Sequence, residues 1–485
     1  MRQNGHFIGN QELFEGKEIQ MIDPSTGKEG GKVYFAEDKH IQTAIENAVN
    51  AQKEWSKYTP AEKSRAMRKL VDLVRKNNDS LAMVDVEQVG KPLQEASGYD
   101  IESGAEAIEF FASATALKRG ESYRLGSVNA IVNHEPFGVV FGIGAWNYPF
   151  QIAAWKMAPA IAAGNAMIFK PSELTPGSAV ELAKLCVEAG LPSGLFQVVQ
   201  GGGEVATKFI KNENIRKVSL TGSVPTRKKV MQTASDSITT VTLELGGKGP
   251  LVVFEDANVK SAVAASMLAN FYTQGEICSN GTRVFVHSSI YDEFIKLLKE
   301  RTANIKIGDP KDPKTQMGPI ISKAQYEKVL SYVEKGGSEG AELVYGGKFP
   351  ESLKGTQMES GYYIEPTIFS NCKDNMTIVC EEIFGPVMSV LKFDSEEEVI
   401  KRSNNTEYGL AGAVFTKDIN RALRVSQSLE VGVCWINHYN VTPVELPFGG
   451  VKFSGIGREN AIEAMYSYTQ AKTIFIQPDE LEMPY

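Results

Sequence analysis

The sequence predicts an α/β protein with two doubly wound parallel-sheet lobes and a small β extension. Three observations predict it. Short apolar, β-branched runs alternate with amphipathic stretches of helical length, the mark of buried parallel strands joined by crossover helices. The alternation is interrupted at the glycine-rich Gly246–Gly249 and then resumes, so two lobes are expected. At 485 residues the chain also exceeds what one core holds, since a domain takes roughly 100–200 residues.

Each element follows from its own pattern. "HIQTAIENAVNAQKEW" sets Ile41, Ala44, Ile45, Ala48 and Val49 on one helical face, and "AEKSRAMRKLVDLVRKN" does so with Met67, Leu70, Val71 and Val74. Both are core stripes. "AIVNHEPFGVVFGI" reads as strands and "AMIFKPS" as a buried strand. "SAVELAKLCVEAG" reads as a helix closed by Gly190. "KVSLTGS" and "TTVTLELGG" are strands around a helix near Arg227–Ser235, and "GPLVVF", "TRVFVH", "PVMSVLKF", "LAGAVFT" and "GVCWIN" carry the pattern through the second lobe. The tail "KTIFIQPDELEMPY" ends in a strand-like run, which invites pairing with another chain and suggests an oligomer.

Composition narrows the function. The formal charge of −8 gives no general attraction to nucleic acid or anionic lipid. No apolar run reaches the roughly 18 residues of a membrane helix. The start "MRQNGHFIGNQELFEGKEIQ" reads as neither signal nor transit peptide. Five scattered cysteines (Cys186, Cys278, Cys372, Cys380 and Cys434) suggest neither a disulfide framework nor a metal site, and a reducing cytoplasm fits best.

Four glycine-rich or polar turns, "GAWNYP", "FKPSE", "LTGS" and "LELGGK", stand at strand ends. Ligands bind at the carboxyl ends of strands in open parallel sheets. The turns offer the amide of Asn147, the paired charges of Lys170 and Glu173, the hydroxyl of Ser223 at a helix start, and the carboxylate of Glu244. Singly, each has a structural reading: turn former, surface lysine, cap. "GIGAWN" fits a dinucleotide fingerprint at Gly142 and Gly144 only, with Asn147 at the third glycine position. A lone Cys278 in "TQGEICSNGTR" is equally compatible with core filling.

Together these stretches resemble the aldehyde dehydrogenase superfamily, from about Ile22 to Thr473. The likeness rests on "WNYPF" with "GNAMIFKPSELTP", on "TGS", "LELGGK", "QGEICSNGTR", "EEIFGP" and "PFGGVKFSGIGRE". Within the family, "GIGAWNYPFQIAAWKMAPA", "NGTRVFV" and "PVELPFGG" are most similar to trimethylaminobutyraldehyde and betaine aldehyde dehydrogenases. The resemblance implies a nucleophile at Cys278, a general base at Glu244, an oxyanion-hole amide at Asn147, and a proton-relay acid at Glu459 with Lys156 as its partner. It implies NAD as cofactor, held by Trp146, Lys170, Glu173, Gly222, Ser223, Glu382 and Phe384. It lines an aldehyde tunnel with Tyr148, Trp155, Tyr272 and Phe448, to which Glu102 or Glu445 would add negative charge. It further implies an NAD-binding domain over 1–118 and 137–247, a catalytic domain over 248–452, oligomerisation strands over 119–136 and 468–485, and a homodimer or homotetramer.

The implied chemistry is aldehyde oxidation. A carbonyl carbon has no hydride to give until a nucleophile adds, so a thiolate at Cys278 forms a thiohemiacetal, hydride transfer leaves a thioester, and Glu244 activates water to release the acid. Two positions depart from the family pattern. Arg227 stands where glycine is usual and puts NAD binding in question. Glu276 stands where glutamine is frequent and is expected to point away from Cys278. The rival readings are a broad aliphatic aldehyde dehydrogenase, a non-catalytic structural relative and a cofactor-free esterase.

Overall fold

The computed structural model describes residues 2–117, 120–478, 480 and 485. The domain limits at 118 and 119, and the end of the predicted 468–485 strand segment at 479 and 481–484, lie outside the described residues. No helix among the described residues is long and apolar enough to cross a membrane.

Among the described residues, four sheets organise the chain. The first has eight strands, in the order Gly455–Ile456, Thr240–Glu244, Ile215–Thr221, Val139–Ile143, Ala166–Lys170, Phe196–Val198, His6–Ile8 and Gln11–Leu13. Its five central strands are parallel, as their uninterrupted apolar runs require. The edges are antiparallel. From Val139–Ile143 the chain winds outward to Phe196–Val198, then crosses to the other side as Ile215–Thr221. Strand order therefore reverses between Val139–Ile143 and Ile215–Thr221, which opens a crevice at their carboxyl ends.

The second sheet has seven strands, ordered Glu342–Tyr345, Thr367–Ser370, Val387–Phe393, Arg283–His287, Pro250–Val253, Ala411–Phe415 and Val433–Ile436. All pairs are parallel except the first. Only Leu245–Gly249 separate the end of Thr240–Glu244 from the start of Pro250–Val253. The carboxyl end of one sheet therefore abuts the amino end of the other.

The helical stripes are buried as their periodicity requires. Met67, Leu70, Val71 and Val74 face the core from Pro60–Lys76. In Asp38–Trp55 the buried face is Ile41, Ala44, Ile45 and Ala48, continued by Ala51 and Trp55, while Val49 is only half-buried. Helix Gly177–Ala189 closes at Gly190, whose φ of +92° is a left-handed value that glycine accepts without strain. The helix after "LTGS" starts at Val224, earlier than Arg227, with Pro225 in its first turn.

Two small sheets complete the fold. Strands Glu121–Leu125, Val128–Pro136 and Thr469–Ile476 form an antiparallel ribbon with Thr469–Ile476 at its edge. Strands Arg2–Asn4, Lys17–Ile22 and Glu29–Phe35 form a mixed sheet, in which Glu29–Phe35 pairs parallel with Arg2–Asn4 and antiparallel with Lys17–Ile22. The sequence pattern does not announce this last sheet, because Arg2–Asn4 is very short and Lys17–Ile22 and Glu29–Phe35 bury few side chains.

Candidate active site

One cavity of about 930 Å³ opens where the two large sheets meet. Its lining includes Trp146, Asn147, Tyr148, Trp155, Lys170, Glu173, Gly222, Ser223, Glu244, Tyr272, Cys278, Glu382, Phe384, Phe448 and Glu459. Of the catalytic, cofactor-binding and aromatic tunnel residues expected at the site, only Lys156 lies outside that lining. It is buried behind Glu459 instead, with Nζ 2.6 Å from Glu459 Oε1 and 2.9 Å from Ser219 Oγ. Neither Glu102 nor Glu445 lines the cavity. Glu102 is held by Arg75 at 2.8 Å, and Glu445 is exposed elsewhere.

Cys278 does not stand at the carboxyl end of a strand. It precedes Arg283–His287, on the amino side of the second sheet. The strand-end rule locates Asn147, Lys170, Ser223 and Glu244 but not the sulfur. The sulfur is brought to them by the short Leu245–Gly249 crossing. That crossing is tight: a Cβ on Gly247 would stand 2.8 Å from the Cys278 carbonyl oxygen, and one on Gly246 would stand 2.1 Å from Glu382 Oε1. Glu382 rests in that space and accepts a hydrogen bond from the Gly247 N–H at 3.0 Å.

The approach to Cys278 is a left-handed turn. Thr273 and Gln274 have φ of 48° and 53°, and Gly275 follows at 73°. Non-glycine residues pay of order 1–3 kcal/mol each for such backbone, and it persists only where surroundings impose it. Here Glu95 imposes it, accepting bonds from the Thr273 N–H and hydroxyl, both at 3.0 Å. The site then closes round the sulfur. Asn147 Nδ2 donates to the Glu276 carbonyl at 2.9 Å. That bond uses one of its two N–H groups and leaves the other for the cavity. The Glu276 side chain turns away and accepts from the Ile321 N–H at 3.2 Å.

Electrostatics favour neutral forms at rest. Burial, then the Glu244 and Glu382 carboxylates, push the Cys278 thiol up to about 12, against the pull of the Cys278 and Ser279 backbone N–H groups. Burial raises the Glu244 carboxyl well above its ordinary range. Glu459 adds to that rise, while Lys156 and Arg458 oppose it. Neither Glu244 oxygen has a hydrogen-bond partner among the described residues.

The other half of the cavity suits a dinucleotide. Helix Val224–Ser235 begins at Ser223 without a side-chain cap, so its first N–H groups stay available to an anion. Lys170 Nζ is fixed by the carbonyls of Pro171 and Gly201, each at 2.8 Å, with Glu173 Oε2 3.9 Å away. Phe384, at φ 58°, meets Trp146 edge-on at 5.1 Å between centroids.

Comparison with known proteins agrees with this geometry. The model of the "Aldehyde dehydrogenase family" matches residues 13–474. The chain belongs to the aldehyde dehydrogenase family. It is 51% identical over 482 residues to a betaine aldehyde dehydrogenase of Brucella anthropi, covering 99% of this chain and 98% of that one. It is 49% identical, with the same coverage, to one from Cereibacter sphaeroides. Among solved structures, an NAD+ complex of a Bacillus cereus aldehyde dehydrogenase aligns with TM-score 0.95 and 38% identity, over 99% of this chain and 97% of that one. A Staphylococcus aureus betaine aldehyde dehydrogenase with NAD+ aligns with TM-score 0.95 and 34% identity, over 99% and 96%.

Against the family pattern, Arg227 neither blocks nor lines the cavity. Its Nη1 donates to the Phe453 carbonyl at 3.1 Å and its guanidinium lies 4.9 Å from the Phe453 ring centroid. It therefore lends no support to a non-catalytic member. Lys229, two residues on, does line the cavity, as do Glu204, Gln151 and Tyr99. The basic run "RKK" signals Lys229 in the sequence. Nothing in the sequence signals Tyr99 or Glu95.

Proposed function

We propose that this protein oxidises betaine aldehyde, or a near trimethylammonium aldehyde, to its carboxylic acid with NAD. One observation carries the reading: Cys278 and Glu244 share a single cavity, with an uncapped helix N-terminus on one side and an aromatic-walled pocket on the other. The likeness to betaine aldehyde dehydrogenases along nearly the whole chain supports the substrate.

In this mechanism the Cys278 sulfur adds to the aldehyde carbon while its proton passes to Glu244, directly or through water. The free N–H of Asn147 and the Cys278 backbone N–H stabilise the developing oxyanion. Losing one such donor typically costs about 3–4 kcal/mol of barrier. Bound NAD supplies the hydride acceptor. Ser223 and the first turn of its helix hold the pyrophosphate, Lys170 and Glu173 the ribose. Glu173 accepts from ribose hydroxyls and repels a 2′-phosphate, so NAD is preferred over NADP. Glu244 then activates the water that releases the acid from the Cys278 thioester. Glu459 and Lys156 lie behind it as a route for the proton.

Assembly and location are part of the proposal. The edge strand Thr469–Ile476 exposes Ile474, Phe475 and Ile476, which supports a homodimer or homotetramer paired through this ribbon. All five cysteines are unpaired, which suits the cytoplasm.

NADH formation tests the activity, with betaine aldehyde, trimethylaminobutyraldehyde, aminobutyraldehyde and hexanal compared by kcat/KM. A clear preference for the trimethylammonium aldehydes is expected. Equal efficiency on hexanal rejects the cation-selective substrate, and no NADH with any aldehyde rejects the activity.

A further inference from the structure

The proton route behind Glu244 stops short of solvent at Lys156. Glu459 faces the cavity, and the side chains of Glu459 and Lys156 are only 4% and 1% exposed. Oxidising an aldehyde with NAD and water yields a carboxylate, NADH and two protons. With aldehyde and NAD filling the cavity, those protons need another way out.

The first sheet supplies one. Side chains two residues apart on a strand share a face, and Ser219 pairs directly with Thr242. One face therefore carries Glu244 at the end of its strand, then Thr242, with Ser219 beside it and Lys217 further in. Ser219 donates to Glu459 Oε1 at 3.1 Å and accepts from Lys156 at 2.9 Å. Lys217 is buried, and its Nζ donates to the Thr242 hydroxyl at 2.7 Å. The Tyr468 ring lies 5.1 Å from that Nζ. Glu459, the carboxylate that faces both lysines, is paired with Lys156. Burial brings the Lys217 ammonium down to about 8, with Glu459 opposing the fall and Lys156 adding to it. An amine in that range takes up a proton and gives it back near neutral pH.

Beyond Thr242 lies exposed Gly457. A Cβ there would stand 3.2 Å from Thr242 Oγ1, so the hydroxyl lies beneath a residue with no side chain to cover it.

Resting on the function proposed above, we propose that Lys217 is the outer relay of the proton route, passing protons from Glu459 through Thr242 to solvent beside Gly457. A proton reaching Glu459 moves onto Ser219 as the Ser219 hydroxyl gives its own, directly or through water, to the neutral Lys217 amine. Lys217 then gives one to Thr242, whose hydroxyl proton leaves to water. Lys217 touches no reacting atom and acts through Glu459.

The experiment measures single-turnover deacylation in dilute buffer, with betaine aldehyde and NAD, for the wild type, Lys217→Arg, Lys217→Met and Thr242→Val. Arginine keeps the charge but does not release its proton. All three variants should deacylate about 10-fold or more slowly. Imidazole, a small diffusible proton carrier, should restore much of their rate and leave the wild type unchanged. The NADH burst of each variant reports a folded site loaded with NAD. Thr242→Val, close in volume to the native residue, keeps the test open should a lysine replacement fail to fold. Wild-type speed in Lys217→Arg or in Thr242→Val, or a slow rate that imidazole does not restore, overturns the inference while leaving the function intact. A wild type that forms no NADH overturns the function on which it rests.

Discussion

Cys278 and Glu244 are each buried as neutral acids, and this sets their pH behaviour. A thiol pushed up to about 12 is not a standing thiolate. Alkylation of Cys278 by iodoacetamide should therefore speed up about tenfold per pH unit from pH 6 to pH 9 without a plateau, followed by mass spectrometry of its peptide. A plateau below pH 8 would contradict that environment. Glu244 acts as base only when ionised, and its carboxyl is raised. Single-turnover deacylation should thus rise with pH, and Glu244→Gln should slow it by roughly 10²–10⁴-fold and flatten the profile. Cys278→Ala should abolish NADH formation and keep NAD binding, measured by fluorescence titration. The sequence marks these residue types and their order. Burial is what the sequence does not state, since "LEL" and "EIC" do not say which side chains lose water. The aim of Arg227 is equally unreadable, because it depends on a carbonyl 226 positions away, at Phe453.

At the level of elements, the left-handed turn at Thr273–Gly275 is the device that aims the sulfur, and Glu95 is what holds it. Glu95 is raised from 4.5 to about 8, first by burial and then by Asp100, against Lys91 and the Thr273 bonds. Folding therefore takes up a proton between those values. The stability this carboxyl permits is full below about pH 4.5 and falls as pH rises towards 8. Glu95→Gln keeps an acceptor for Thr273 and escapes the loss. Its Tm relative to wild type should rise from pH 5 to pH 8 and then level off, as read by differential scanning fluorimetry. Arg227→Ala should lower Tm slightly and leave the Kd for NAD within about 3-fold, since the side chain reaches Phe453 and not the cavity. Periodicity revealed the core helices because burial there follows a single face, as Met67, Leu70, Val71 and Val74 do. It was silent on the turn, since Thr273 and Gln274 have no preference for positive φ and take it from a contact with distant Glu95.

Across the whole molecule, the two large sheets meet end to end, and the third extends away as a ribbon whose edge strand exposes Phe475 at 62%. Phe475→Glu should shift the protein to a smaller species in sedimentation velocity if that ribbon mediates assembly. An unchanged size would place the contact elsewhere. Alternating strand and helix patterns made both large sheets readable, while the orientation of one against the other came from the short Leu245–Gly249 crossing. The strand Gly455–Ile456 has a further consequence. It returns from the second lobe to pair with Leu243 and Glu244, and Glu459 follows it directly. Cys278 and Glu244 both precede that strand by a long stretch of chain, and the edge beside Glu244 has no partner until Gly455–Ile456 pairs with it. The sheet that carries Glu244 is therefore completed by a strand from far along the chain, and a chain cut before Gly455 would leave that edge open.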